Sequence, residues 1–169
     1  MNYRIFVEKK KDFRVEAQNL FSDLKENVGI SGLSDVRVLN IYDVFNLGEN
    51  DLEKLERTVF SEINADNVFR SLDEVFEEKN SENVYFSVEF LPGQYDQRAD
   101  SAIQCVNLLI DKNNNINVKS GKLIILYGKI SPEELAKVKK YYINEVEARE
   151  KDLNVLSENV ENENKDDVI

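Results

Sequence analysis

The 169-residue sequence has no histidine and a single cysteine, Cys105. Without histidine, neither a Ser-His-Asp triad, a Cys-His pair nor a His-ligated metal site can be built within the chain. One cysteine excludes an internal disulfide and a thiolate zinc site, and it fits a reducing cytoplasm. Any catalysis would rest on carboxylates, lysine or tyrosine, so the expectation shifts to a binding or scaffold role, with no catalytic residue and no metal ligand. No apolar run approaches the roughly 18 to 20 residues that span a bilayer, and no apolar leader precedes the first strand at Tyr3, so no membrane partner is expected. Basic residues are also in the minority. Lys and Arg number 22 against 33 Asp and Glu, a net charge of −11, which argues against nucleic acid as a partner. Glu145 to Ile169 carries nine acids and three bases, a net of −6, leaving −5 for the remainder.

What is present is one pattern, twice. Tyr3, Ile5 and Val7 alternate as one face of a strand. After Lys9-Lys10-Lys11, the residues Ala17, Leu20, Phe21, Leu24 and Val28 recur at helical spacing, with Gly29 placed to end that helix in the left-handed conformation. Val36 to Val44 reads as a second strand. Asn50 to Glu53 reads as a capped start for a short helix carrying Leu52, Leu55 and Val59. Val68, Leu72, Val75 and Phe76 have helical spacing in the connection that follows. Then Val84, Phe86, Val88 and Phe90 alternate, Pro92-Gly93 breaks the strand, and Ala99, Ala102, Ile103, Val106 and Ile110 form a helical stripe capped by Asp96. Asn113 to Asn115 is turn chemistry, Ile116 to Tyr127 a strand bent at Ser120-Gly121, and Ser131-Pro132-Glu133-Glu134 a strong helix start.

The two copies keep nearly one offset: Ala17 to Ala99, Leu20 to Ala102 and Val36 to Val118 are each 82 residues apart, and Leu52 to Leu135 is 83. The expected fold is α+β: two strand-helix-strand(-helix) repeats, about residues 1–60 and 83–145, related by a pseudo-two-fold. They merge into a mostly antiparallel sheet with helices on one face. Residues 151–169 are acidic, Asn-rich and aperiodic, and are expected to be a linker.

The most distinctive stretch runs from Phe90 through Leu91-Pro92-Gly93-Gln94-Tyr95-Asp96-Gln97-Arg98-Ala99-Asp100-Ser101 to Ala102-Ile103-Gln104-Cys105. It drives polar groups into a helix N-terminus, where free N–H groups favour anions. The bland reading has Asp96 as a cap, Arg98, Asp100 and Ser101 in solvent, and Cys105 buried in register with Ala102 and Leu109. This run resembles the amino-terminal region of phosphoribosylformylglycinamidine synthase in its single-chain form. Val36 to Val44, Val59 to Glu62, Tyr142 to Asn144 and Val146 to Glu150 are similar to further segments of that region, so the resemblance spans about residues 1–150. The sequence departs from the family where prolines are expected, at Glu145 and at Ile63-Asn64.

The resemblance implies a non-catalytic adaptor, a fusion of two copies of a small bridging subunit, for an enzyme of purine biosynthesis. That carbon-nitrogen ligase uses ATP to activate an amide oxygen of formylglycinamide ribonucleotide, which is then displaced by ammonia from glutamine. ATP and magnesium would belong to the full-length enzyme, none to this piece, and the partners would be its synthetase and glutaminase domains. The implied interdomain or substrate-facing residues are Gln94, Asp96, Gln97, Arg98, Asp100 and Ser101, with Asn144, Glu147 and Arg149 anchoring the exit to the linker. The apolar Val168-Ile169 after the acidic run is expected to begin another element of a longer reading frame. A competing reading is a free-standing, ferredoxin-like regulatory module, which would need a polar cleft at the pseudo-two-fold to hold a small metabolite. A generic dimerisation domain is the third.

Overall fold

The computed structural model describes residues 1–110 and 115–158, so the expected Asn113-Asn114 turn lies outside the described residues. The fold is α+β, with strands β1 (Tyr3–Lys9), β2 (Leu33–Phe45), β3 (Asp66–Phe69), β4 (Asn83–Phe90), β5 (Asn117–Gly128) and β6 (Ala148–Glu150) in one sheet. Their order is β3-β1-β2-β5-β4-β6, and every pairing is antiparallel. The helices are α1 (Val15–Asp23), α2 (Leu52–Thr58), α3 (Leu72–Glu78), α4 (Gln97–Leu109) and α5 (Pro132–Tyr142). A π-helical turn over Leu24–Val28 extends α1 and ends at Gly29, whose φ of 83° is the left-handed cap expected there. None of these helices is long and apolar enough to cross a membrane.

The register places one row of residues across the whole sheet: Val68, Val7, Asn40, Lys122, Val88 and Glu150, on β3, β1, β2, β5, β4 and β6 in turn. Because strand side chains alternate, Val7, Asn40, Lys122 and Val88 share a face. Four helices cover that face in two clusters. One joins Ile5, Val7, Tyr42 and Val44 to Leu52 and Leu55 of α2 and to Ala99, Ala102 and Val106 of α4. The other joins Val36, Phe86, Val88, Ile124 and Leu126 to Leu20 of α1, Leu24 and Val138 of α5. Helix α4 packs on β5 and α1 on β2, each on its own half of the chain, while the clusters they join reach across to β1 and β4. The polar pair Asn40 and Lys122 lies on the seam between the clusters.

Helices on one face only was the expectation, and α3 departs from it. Leu72, Val75 and Phe76 pack on the second face against Phe6, Leu39, Ile41, Leu123, Ile125 and Tyr127. Phe6 and Ile41 sit at alternate positions to Ile5 and Tyr42, so the central strands are apolar on both faces and need two covers. Val68, read from sequence with the α3 helix, belongs instead to the edge strand β3, because its backbone pairs with Val7. The expected side-chain cap of α2 does not form: the cap position is Asp51, whose backbone is helical and whose side chain makes no capping hydrogen bond. Strand β5 is continuous rather than bent at Ser120-Gly121. Gly121 is required for another reason, since a Cβ there would lie 2.6 Å from the Val88 carbonyl oxygen.

The described part of the stretch expected as linker lies along the second face. The Lys151 N–H donates to the Ser87 carbonyl at 2.7 Å, and the Ser87 hydroxyl donates to the Lys151 carbonyl at 2.8 Å. Arg4 donates to the carbonyls of Leu153 and Val155, and Leu153 packs on the apolar cluster beside α3.

Candidate functional site

The expected site begins where β4 ends. Leu91 donates its N–H to the Glu147 carbonyl at 3.0 Å, and the chain turns through Pro92 and Gly93, with the Gln94 N–H returning to the Leu91 carbonyl at 3.0 Å. Gly93 adopts φ 89°, which favours glycine. The chain's departure frees the Ser120 N–H on β5, and Asp96 takes it. The Asp96 carboxylate accepts from Ser120 N (2.8 Å), Ser120 Oγ (2.6 Å) and Ala99 N (3.0 Å), so one side chain caps α4 and pins it to the sheet. The helix's positive end is therefore occupied by the chain's own carboxylate.

Asp100 is also held internally, accepting from Tyr95 Oη at 2.9 Å and Gln104 Nε2 at 3.1 Å. The hydrogen bond from Tyr95 to Asp100 raises the phenol's pKa above its ordinary value. Gln94, Gln97, Arg98 and Ser101 are exposed, and no side-chain hydrogen bond or ion pair joins them to the described residues. Of the seven arginines, Arg4, Arg14, Arg37, Arg57, Arg70 and Arg149 each pair with a carboxylate, and Arg98 pairs with none among the described residues. The six proposed residues thus divide: Asp96 and Asp100 are structural, while the other four face outward.

The linker anchors all hold this corner together. Asn144 Oδ1 accepts the Val146 N–H at 3.1 Å to shape a tight turn, Glu147 supplies the carbonyl for Leu91, and Arg149 Nε donates to Glu89 at 2.7 Å. Cys105, expected to be buried, is exposed. The buried stripe of α4 is Ala99, Ala102 and Val106, and Cys105 falls one position outside it, beside Leu109 at 43 % exposure.

Arg98, Gln97 and Ser101 line a cavity of about 660 Å³ whose floor is Tyr42, Gly121 and Lys122. A second cavity of about 280 Å³ opens on the other side of Arg98 and Tyr42, over Asn40, Val7 and Phe60. Sequence reading missed Asn40, Tyr42 and Lys122. The available signal was the interruption of inward alternation, Asn40 among Val36, Val38 and Val44, and Lys122 among Val118, Ile124 and Leu126. No group of three or more His, Cys, Asp or Glu side chains is arranged to hold a metal ion among the described residues. No family model matches this chain, and no curated protein is significantly similar to it.

Proposed function

We propose that this chain is the non-catalytic amino-terminal adaptor of a phosphoribosylformylglycinamidine synthase, a duplicated module that seats the synthetase and glutaminase domains of that enzyme. The observation that carries the reading is the row across the sheet. Moving 82 residues along the chain takes Asn40 to Lys122 and Val68 to Glu150, and 81 residues takes Val7 to Val88, so the row reads the same from either edge within one residue. That pattern is what two fused copies of one subunit would produce, with the local two-fold passing between Asn40 and Lys122. Residues at the helix offset agree in burial as well: Ala17 with Ala99, Leu20 with Ala102 and Leu24 with Val106 are all buried.

Within the adaptor, the Leu91 to Ser101 corner is the surface turned to a partner domain. Its two carboxylates are spent on holding the corner rigid, and Gln94, Gln97, Arg98 and Ser101 are left as donors and acceptors for another chain. The test is complementation in trans. A single-chain synthase lacking its amino-terminal domain is mixed with this chain, and glutamine-dependent formation of the amidine is followed together with co-elution. Restored activity and a stable complex are expected, both weakened by Arg98→Ala. A complex that never forms, with activity unchanged by addition of the chain, overturns the assignment.

A further inference from the structure

We propose that the seam between the two helix-covered clusters is a binding site for a small organic oxyanion, a phosphate monoester or carboxylate carried on a body with hydrogen-bonding groups. The two cavities of about 660 and 280 Å³ share Arg98 and Tyr42 as their common wall, so they are lobes of one site. Unsatisfied polar groups converge there. Tyr42 lines both lobes, and its hydroxyl makes no hydrogen bond with any described residue. The side-chain oxygen of Asn40 is buried without a partner in the smaller lobe. Buried polar atoms are normally paired, because leaving one unpaired costs about 1–3 kcal/mol. One such atom, beside a cavity-lining hydroxyl with no partner among the described residues, marks a place built for something that supplies the partners.

The charge of the seam gives the ligand's sign. In a chain of net charge −11, the lobes are lined by Lys9, Arg14, Arg98 and Lys122 against Glu16, Asp66 and Glu89. The three carboxylates are already engaged: Glu89 with Arg149 and Lys151, Asp66 with Lys9 at 3.0 Å, and Glu16 with Lys122 at 2.9 Å. Arg98 is left over, with a fork that suits a two-oxygen anion. Glu16 is 56 % exposed in its side chain, so its ion pair is weak enough for an incoming oxyanion to take Lys122. In the bound state the anion sits between Arg98 and Lys122, and Tyr42 and Asn40 hold the polar body, with Phe60 and Val7 as its apolar wall.

This inference stands on the seam alone and does not require the adaptor role, so the complementation experiment and the following one fail independently. The intact chain, labelled with ¹⁵N, is titrated with adenosine monophosphate, benzoate, inorganic phosphate and uncharged adenosine. Saturable shifts at the Ser101, Ser120, Gly121 and Lys122 amides are expected with adenosine monophosphate or benzoate, and which of the two binds tighter separates phosphate from carboxylate. Arg98→Gln, at an exposed and unpaired position, should weaken binding at least about tenfold, roughly 1.4 kcal/mol. Tyr42→Phe should weaken it several-fold while leaving thermal stability unchanged or raised. Adenosine binding as well as its monophosphate, identical titrations for wild type and Arg98→Gln, or no shift from any probe at about 10 mM, well beyond the millimolar range of weak ligands, overturns the proposal.

Discussion

Replacing Arg37 by Met should remove the cover from the second face of the sheet. Arg37 and Glu8 are each only 1 % exposed and meet through two bonds, Nε to Oε2 at 2.9 Å and Nη2 to Oε1 at 2.7 Å. Arg37 also donates to the Val75 carbonyl at 2.8 Å and to the Tyr127 hydroxyl at 3.1 Å, so it ties α3 to the sheet. Burial acts to lower its pKa, but the hydrogen bonds and field of Glu8, helped by Tyr127, overcome that and raise it. Removing one member of a buried pair costs about 3–5 kcal/mol, because the other charge stays desolvated. Arg14, 3.7 Å from Glu8, supplies partial compensation, whereas the Val75 carbonyl loses its donor. A loss of about 4 kcal/mol follows, a large part of the 5–15 kcal/mol typical of a domain. With a slope of about 2 kcal/mol per molar urea, the midpoint falls by about 2 M. Circular dichroism during urea unfolding reads this directly. The double variant Glu8→Leu/Arg37→Met should recover at least about half of the loss, since an apolar pair can replace a buried ion pair. A single-variant shift below about 0.5 M, or a double variant worse than the single one, would refute the reasoning.

Asp96→Ala removes the α4 cap and also strands the buried Ser120 N–H, so it should cost about 2–3 kcal/mol, against about 1 for Ser131→Ala, which removes only a capping box. Equal losses in chemical denaturation would show that the tie to Ser120 contributes nothing. Gly128→Ala places a Cβ 2.1 Å from the Gly32 carbonyl oxygen at φ 121°, whereas Gly93→Ala at φ 89° meets nothing within 4 Å. The first should lose well over about 2 kcal/mol and the second about 1, by the cost of backbone strain alone. Similar melting temperatures for the two would refute the clash. Burial, with a smaller effect from Glu16, pushes the Tyr142 phenol up to about 12 from 10.0. The folded state therefore holds this proton more tightly, so its stabilisation is complete below pH 10 and is lost as pH rises from 10 towards 12. Tyr142→Phe should flatten that part of a stability–pH profile, and an unchanged slope would count against the shift.

Much of the fold was legible because it rests on local periodicity. The alternation through Val84 to Phe90, the stripe of Ala99, Ala102 and Val106, and the Ser131 capping box all appear as read. The segment 61–81 was legible only in part: the helical spacing of Leu72, Val75 and Phe76 is α3, but the strand before it was missed. Asp66–Phe69 is a four-residue edge strand whose pairing with β1 is non-local, and α3 answers to Phe6 and Leu39 on a face that no nearby pattern announces. The candidate site was half legible. Pro92-Gly93 and the polar run marked the corner, but which carboxylates serve structure depends on Ser120, distant in sequence and freed only because β4 leaves the sheet. Asn40 and Tyr42 look like ordinary strand residues until α1 and α4 arch over them. Docking of Lys151 and Leu153 was hidden because Arg4 and Ser87, their partners, lie far back in the chain.

The sharing of both apolar clusters between the two halves also bears on how the chain reaches its native state. Strands β2 and β5 meet between residues such as Asn40 and Lys122, so the central contact must close a loop of about eighty residues before either cluster is complete. Each cluster takes residues from both halves, so neither core is complete until the halves meet. Assembly is therefore concerted, with few stable partial structures and a rate set by long-range closure rather than by helix formation. A break in the connection between the halves would leave two segments that shield their apolar surfaces only by finding each other.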